Sequence, residues 1–328
     1  MRAPTSPAEP TVAALSGDST GVRIKRLLLA TRPAFSVASV APVAVGTAWG
    51  FRVAGHLDWS VAVLAVAATL CVHLASNVLN DVADDLSGTD RSNDERIFPY
   101  TGGSRFIQNG IMTSNEMTLW GIVLLAVAAI VGLALLELRG PGVLVFGLIG
   151  VALGVCYSLP GIRLAARGLG EAAIAAAFGV LPVAGAAWLQ AGRVDGPAIL
   201  ISVPVSLWVA AILLMNEVPD RAADARAGKA TLVVRLGLGA TRRLYIGLHV
   251  TACAAFLAAG ALRLIPWWGA IPALLLLPPA WKASRAIRDP YEREPLTHSI
   301  ESTLRLHVAG STLLLLAILA ATLLQHAG

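Results

Sequence analysis

Nine stretches of about 16–21 residues run through this chain with almost no charge, several of them long enough as helices to cross ~30 Å of hydrocarbon. They lie at 35–54, 59–79, 117–137, 142–158, 171–191, 197–215, 244–262, 266–281 and 304–324. A backbone in hydrocarbon must satisfy its own N–H and C=O groups, so repeated segments of this kind fold as a helix bundle. Composition agrees, with 56% of the 328 residues hydrophobic and 14% charged, against roughly 25% charged in a soluble domain. The expected fold is all-α, a polytopic membrane bundle of nine transmembrane helices. Residues 1–21 are rich in Pro, Ser, Thr and Ala without an apolar run, which predicts a disordered leader and not a signal peptide. Residues 22–328 form one transmembrane domain.

A net charge of +5 would suit nucleic acid, but the placement of the charges points to topology instead. With the N-terminus in the cytoplasm, that side receives Arg2, Arg23, Lys25, Arg26 and Arg32 before the first helix. It also receives Arg91, Arg96 and Arg105 after the second, Arg163 and Arg167 after the fourth, and the basic residues after the sixth and eighth. Of the 25 Lys and Arg, all but Arg52, Arg139, Arg193 and Arg263 then lie inside. The positive-inside rule gives an inner-membrane protein with its N-terminus in and its C-terminus out. Cys71, Cys156 and Cys253 fall inside apolar segments with no metal spacing and read as small buried hydrophobes.

Two acidic clusters stand where apolar segments run out: NVLNDVADDLSGTD from Asn77 and NEVPDRAADARAGK from Asn216. Asn80-Asp81-Val82-x-Asp84 and Asn216-Glu217-Val218-x-Asp220 share one pattern. Each cluster closes the second helix of a four-helix set and is followed by a long connection, Asp81–Glu116 and Asp220–Arg243. The chain therefore reads as two pseudo-repeated four-helix sets plus a final helix, with a site between the halves.

Residues three and four apart share a helix face, so Asn77, Asn80, Asp81 and Asp84 line one stripe, and Asn216, Asp220 and Asp224 another. Two bare carboxylates about 5.5 Å apart repel by roughly 3 kcal/mol at an effective dielectric near 20. Carboxylates beside a membrane are costly and mark function, and Mg²⁺ would neutralise them while bridging them to a substrate diphosphate. Arg91, Arg105, Arg163, Arg167, Lys229 and Arg235 are available for the remaining phosphate charge. Asp85, Asp94 and Glu95 read as solvated helix ends, while Asp90 and Glu217 fit either reading. His73, one turn before Asn77, reads as a packing histidine, and Glu171 as a structural partner of Arg167. Tyr157 suits either a cation-stabilising or acceptor-contacting role or an interfacial belt.

With these residues in view, the chain resembles the UbiA superfamily of intramembrane prenyltransferases over nearly its full length. The first cluster is similar to that family's N-x-x-x-D or N-D-x-x-D motif, and Asp220-x-x-x-Asp224 to its D-x-x-x-D motif. YSLPGIRLAARGLGE from Tyr157, FGVLPVAGAAWLQAG from Phe178 and GKATLVVRLG from Gly228 resemble the dihydroxynaphthoate prenyltransferase branch, which serves menaquinone synthesis. Glu217 departs from that branch, which more often has Asn there.

The resemblance implies that Asp81, Asp84, Asp220 and Asp224 hold Mg²⁺ and are the catalytic residues. It assigns Asn77, Asn80, Arg91, Arg105, Tyr157, Arg163, Arg167, Asn216 and Lys229 to the substrates. The implied partners are a polyprenyl diphosphate, an aromatic acceptor (1,4-dihydroxy-2-naphthoate first among them) and the bilayer, with no nucleic acid and no obligate protein partner. A relative with another acceptor, or a membrane terpene cyclase, would share these motifs. An ion or solute transporter is the non-enzymatic alternative, although transporters hold their binding charges near the midplane and both clusters here lie at one face.

Overall fold

In the computed structural model, which describes residues 9–91, 93–159 and 161–327, every regular element among the described residues is helical. Elements are numbered α1 Thr20–Ala30, α2 Val37–Ala54, α3 Trp59–Leu86, α4 Ser114–Arg139 and α5 Gly142–Ser158. They continue as α6 Gly170–Ala191, α7 Gly196–Arg226, α8 Leu232–Ala261, α9 over 267–283 and α10 Arg293–Ala327. Seven of these are long and apolar enough to cross a membrane, making this a multi-pass membrane protein. Besides α1, which was not expected to span, two elements at expected spans fall short for identifiable reasons. α5 has 17 residues, and α9 is cut into Trp267–Ala270, a 3-10 stretch Ile271–Leu276, and Leu277–Ala283.

The helix starts are written in the sequence. Asp58 accepts from the Val61 N–H to cap α3, and Asp195 accepts from the Ala198 N–H to cap α7. Thr113 and Glu116 form a reciprocal capping box on α4. Gly55 and Gly192 end α2 and α6 in the left-handed conformation.

α7 is the central post: 72% of its apolar window is buried against 22% for α4, which faces outward. Trp208 of α7 is fully buried, with the Phe256 ring edge-on at 6.5 Å between centroids. α2 runs against α6 so closely that a Cβ on Gly50 would stand 2.6 Å from the Ala187 carbonyl oxygen, a small-residue contact that brings the backbones together. In both halves the acidic helix packs chiefly on the helix after it, α3 on α4 and α7 on α8, in keeping with the repeat. α10 packs against α2 and α7.

Hydropathy located the helices but underestimated several. α3 continues to Leu86, α7 to Arg226, and α8 and α10 begin at Leu232 and Arg293. Apolarity marks only the part of a helix in hydrocarbon, whereas hydrogen bonding carries the helix on into the polar zone. The long connection expected over Asp220–Arg243 is thus only 227–231, with a break in α8 at Gly237 (φ 69°). The first connection is long as expected, 87–113. In the expected leader, residues 1–8 lie outside the described residues, Val12–Leu15 forms a helical turn, and α1 begins at Thr20. Glu9 meets Arg96 and Asn109 of the first connection.

Candidate active site

The inner ends of α3 and α7 bring the two acidic clusters face to face. Lys229, just past α7, reaches Asp84 of α3 at 2.5 Å and Asp224 of α7 at 3.9 Å. Burial works against the Lys229 charge, but Asp84 and Asp224 outweigh it and hold the ammonium above its usual range. Asn80 donates to Asp84 Oδ2 at 3.0 Å and accepts from Ser158 of α5. The second pattern is held by the first connection: Asn93 donates to Asp220 Oδ1 at 2.8 Å, and Thr101 also hydrogen-bonds it.

That connection folds over the site because it has its own apolar anchors. Ile97 joins the core around α7 and Phe106 a second core against α3 and α4. Between them the Ser104 N–H donates to Asp81 Oδ2 at 2.8 Å. Gly103, with φ 74°, places its α-carbon where a Cβ would stand 2.6 Å from Asp90 Oδ2 and 3.1 Å from Asp81 Oδ1. Burial first, then the Asp84 and Asp81 charges, pushes the Asp90 carboxyl up to about 8. Arg105 is buried, donates to the Asp90 carbonyl at 2.6 Å, and has its guanidinium lowered by that burial.

The expected residues divide. Asp81, Asp84, Asp220, Asp224, Asn80, Arg105 and Lys229 converge. Asn216 is on the same α7 face, with Oδ1 buried and unpartnered. Tyr157 lies within electrostatic reach of Glu217, Asp84, Glu171 and Asp224. Asn77 instead ties α3 to the end of α1 by donating to the Thr31 carbonyl at 3.0 Å. Arg91 is exposed and pairs with Asp85 at 3.0 Å, and Arg167 turns back onto the Gly161 carbonyl. Arg163 opens a 3-10 turn with φ 44° and forms no ion pair with the carboxylates among the described residues. Arg235, also expected among the phosphate cations, donates to the Ala230 carbonyl.

Several contributors were not visible in the sequence. Arg32 reaches Asp81 at 3.6 Å and donates to the Tyr100 carbonyl at 3.2 Å. It precedes the first span, where Arg32-Pro33 resembles the start of the family's first helix, but no spacing marks it as a partner of Asp81. Asn93, Thr101 and Ser104 have no helical spacing to reveal them. Glu171 does not pair with Arg167 but lies against Glu217. His73 is a packing histidine bonded to Ser39.

Among the described residues, no three His, Cys, Asp or Glu groups stand ready as a metal trio. The donor set is nevertheless all oxygen, and Asp81 Oδ1 and Asp90 Oδ2 are buried with no hydrogen-bond partner. Such a set suits a hard cation that shares its remaining positions with a phosphate.

Comparison with known proteins agrees with this geometry. A family model described as the UbiA prenyltransferase family matches residues 39–299. The 1,4-dihydroxy-2-naphthoate octaprenyltransferase of Mycobacterium tuberculosis is 32% identical over 258 residues, 79% of this chain and 84% of the relative. That of Escherichia coli is 29% identical over 283 residues, 84% and 89% of the two chains. Among solved structures, a UbiA homolog from Archaeoglobus fulgidus bound to DMAPP and Mg²⁺ superposes with a TM-score of 0.63 at 19% identity, covering 88% of this chain and 99% of that one.

Proposed function

Since this chain belongs to the UbiA prenyltransferase family and is a prenyltransferase, we propose that it transfers a polyprenyl group from an allylic diphosphate to 1,4-dihydroxy-2-naphthoate. One observation carries the reading: Lys229 draws together carboxylates from both halves, Asp84 and Asp224, at one polar end of an apolar bundle. A buried acidic pocket with a central cation is built for a ligand that is itself polyanionic and arrives with metal.

Asp81, Asp84, Asp220 and Asp224 would hold Mg²⁺, consistent with the all-oxygen donors and with Asp81 Oδ1, which accepts no hydrogen bond and has the Arg32 guanidinium only at 3.6 Å. Mg²⁺, when bound, neutralises the diphosphate and makes it a better leaving group. The rest of the chemistry belongs to the chain. Lys229, Arg32 and Arg105 supply fixed positive charge for the departing diphosphate, and Asn80 and Asn93 orient Asp84 and Asp220. The connection 87–113 covers the site and excludes water, so that an allylic cation meets the acceptor before it meets hydroxide. Tyr157, within electrostatic reach of Asp84 and Glu217, would attract that cation through its ring. The polyprenyl tail would lie along the apolar bundle. We take α5 and α9 to complete nine spans, with the clamp on the cytoplasmic side.

The experiment is turnover of geranylgeranyl diphosphate by purified protein in lipid with Mg²⁺, with and without 1,4-dihydroxy-2-naphthoate, the product identified by mass spectrometry. Diphosphate release that depends on the naphthoate, with a prenylated and decarboxylated product, is the expected result. Release without acceptor, yielding a hydrocarbon or alcohol, would overturn the acceptor assignment in favour of a cyclase.

A further inference from the structure

Two carboxyl groups beside the clamp take no part in it. Glu171 stands in the first turn of α6 and Glu217 on α7, 5% and 7% exposed, and the two lie within hydrogen-bonding reach of each other. Glu171 Oε1, Glu171 Oε2 and Glu217 Oε2 are buried without any hydrogen-bond donor. One proton shared between the two carboxyls satisfies at most one of these acceptors, and buried polar atoms are nearly always satisfied, so the remainder indicate a donor that arrives from outside the chain.

Their depth shows which donor fits. Glu217 precedes Asp220 by three residues and Asp224 by seven on one face of α7, so it lies about 4.5 Å farther into the membrane than Asp220. The diphosphate belongs at the Asp level; the allylic carbon, and the ring that attacks it, belong one turn below. Tyr157 of α5 is within electrostatic reach of the pair, with Glu217 foremost among the carboxylates acting on its phenol. A diphosphate brings only acceptor oxygens and would be repelled here. A phenolic hydroxyl brings the missing donor.

We propose that Glu171 and Glu217 form the seat for a hydroxyl group of the aromatic acceptor, a positioning site one helical turn beneath the diphosphate clamp. The inference rests on the aromatic-transfer reading above. Like charge turns the acceptor's carboxylate away from the pair, so that the ring enters in one orientation, hydroxyl toward α6 and α7. No proton need leave the hydroxyl for this role.

The test is steady-state kinetics of Glu217→Ala, Glu171→Ala and the shape-conserving Glu217→Gln in lipid, with 1,4-dihydroxy-2-naphthoate and its two monohydroxy analogues. The variants should raise the naphthoate KM about 10–100-fold while the prenyl diphosphate KM and the Mg²⁺ half-saturation stay within about twofold. Removing the seated hydroxyl from the acceptor should cost the wild type about as much, yet cost the Ala variants almost nothing, because the lost contact is the same one. A purely structural pair would leave the variants fully sensitive to that hydroxyl, which would overturn the proposal. A shift in Mg²⁺ half-saturation in place of acceptor KM would also overturn it, by assigning the pair to the metal. Should the Ala variants not fold, Glu217→Gln decides alone: its donating amide should weaken the preference for the hydroxyl, and an unchanged preference refutes the seat. A wild type inactive with every naphthoate would remove the acceptor reading itself, and this inference with it. Activity with unchanged hydroxyl preference in the variants would remove the inference alone.

Discussion

At Lys229 one ammonium group answers carboxylates from two helices, with its side chain only 13% exposed. Removing one partner of a buried ion pair leaves the other uncompensated, at a cost of about 3–5 kcal/mol. Lys229→Met should therefore lower the thermal midpoint and cut single-turnover release of diphosphate by about 10²–10³-fold, as expected for a fixed charge lost from a leaving group. Lys229→Arg should recover part of both; full activity in Lys229→Met would exclude the clamp. Gly103→Ala is a second, geometric probe. Its φ of 74° and the Asp90 oxygen 2.6 Å from the would-be Cβ require the connection to move off Asp81. The backbone term alone is about 1–2 kcal/mol, and turnover should fall with stability in the same variant. The acids and Lys229 were legible because helical periodicity and the GKATLVVRLG stretch display them. Arg32, Asn93 and Ser104 were not, because their partners are remote in sequence and only tertiary folding brings them near. Glu171 was misassigned for the same reason. Arg167 is its neighbour in sequence, but the Arg167 side chain bonds the Gly161 carbonyl instead.

Among the elements, hydropathy placed the helical segments in their order, but seven of the nine expected spans are long and apolar enough to cross a membrane, and lengths were read poorly, since α7 runs eleven residues past its apolar stretch to Arg226. Side-chain caps, which hydropathy does not display, set several helix starts, and the cap at Asp58 is charged. It accepts from Ser60 Oγ at 2.5 Å, from the Val61 N–H at 3.2 Å and from Arg139 at 2.6 Å, which together hold its carboxyl down to about 2. A depressed carboxyl stabilises the fold above its unfolded value and loses that contribution as pH falls through the folded one. The thermal midpoint of the wild type should therefore exceed that of Asp58→Asn by a constant margin above about pH 4 and lose the margin toward pH 2. A margin that persists at pH 2 would mean that the cap acts through shape and not charge.

Seen across the whole molecule, the bundle has two polar ends and an apolar middle, and the ends carry different charge. One end ties α2, α3, α4, α6, α7 and α10 together through Trp49–Asp195, Asp58–Gln190, Arg139–Asp58 and Arg52–Gln325. The other holds the clamp, the connection 87–113 and most of the Lys and Arg. A bilayer with anionic lipid and a potential negative inside favours the basic end in the cytoplasm, so we expect the clamp on that side, where it would release diphosphate into the cell. Asp94 and Arg193 are exposed at opposite ends and report the choice directly. In a background with Cys71, Cys156 and Cys253 replaced by Ala, Arg193→Cys should react with an impermeant maleimide on intact cells. Asp94→Cys should react only after the membrane is opened. The reverse pattern would place the clamp outside, where neither the charge bias nor a cytoplasmic supply of prenyl diphosphate could serve it.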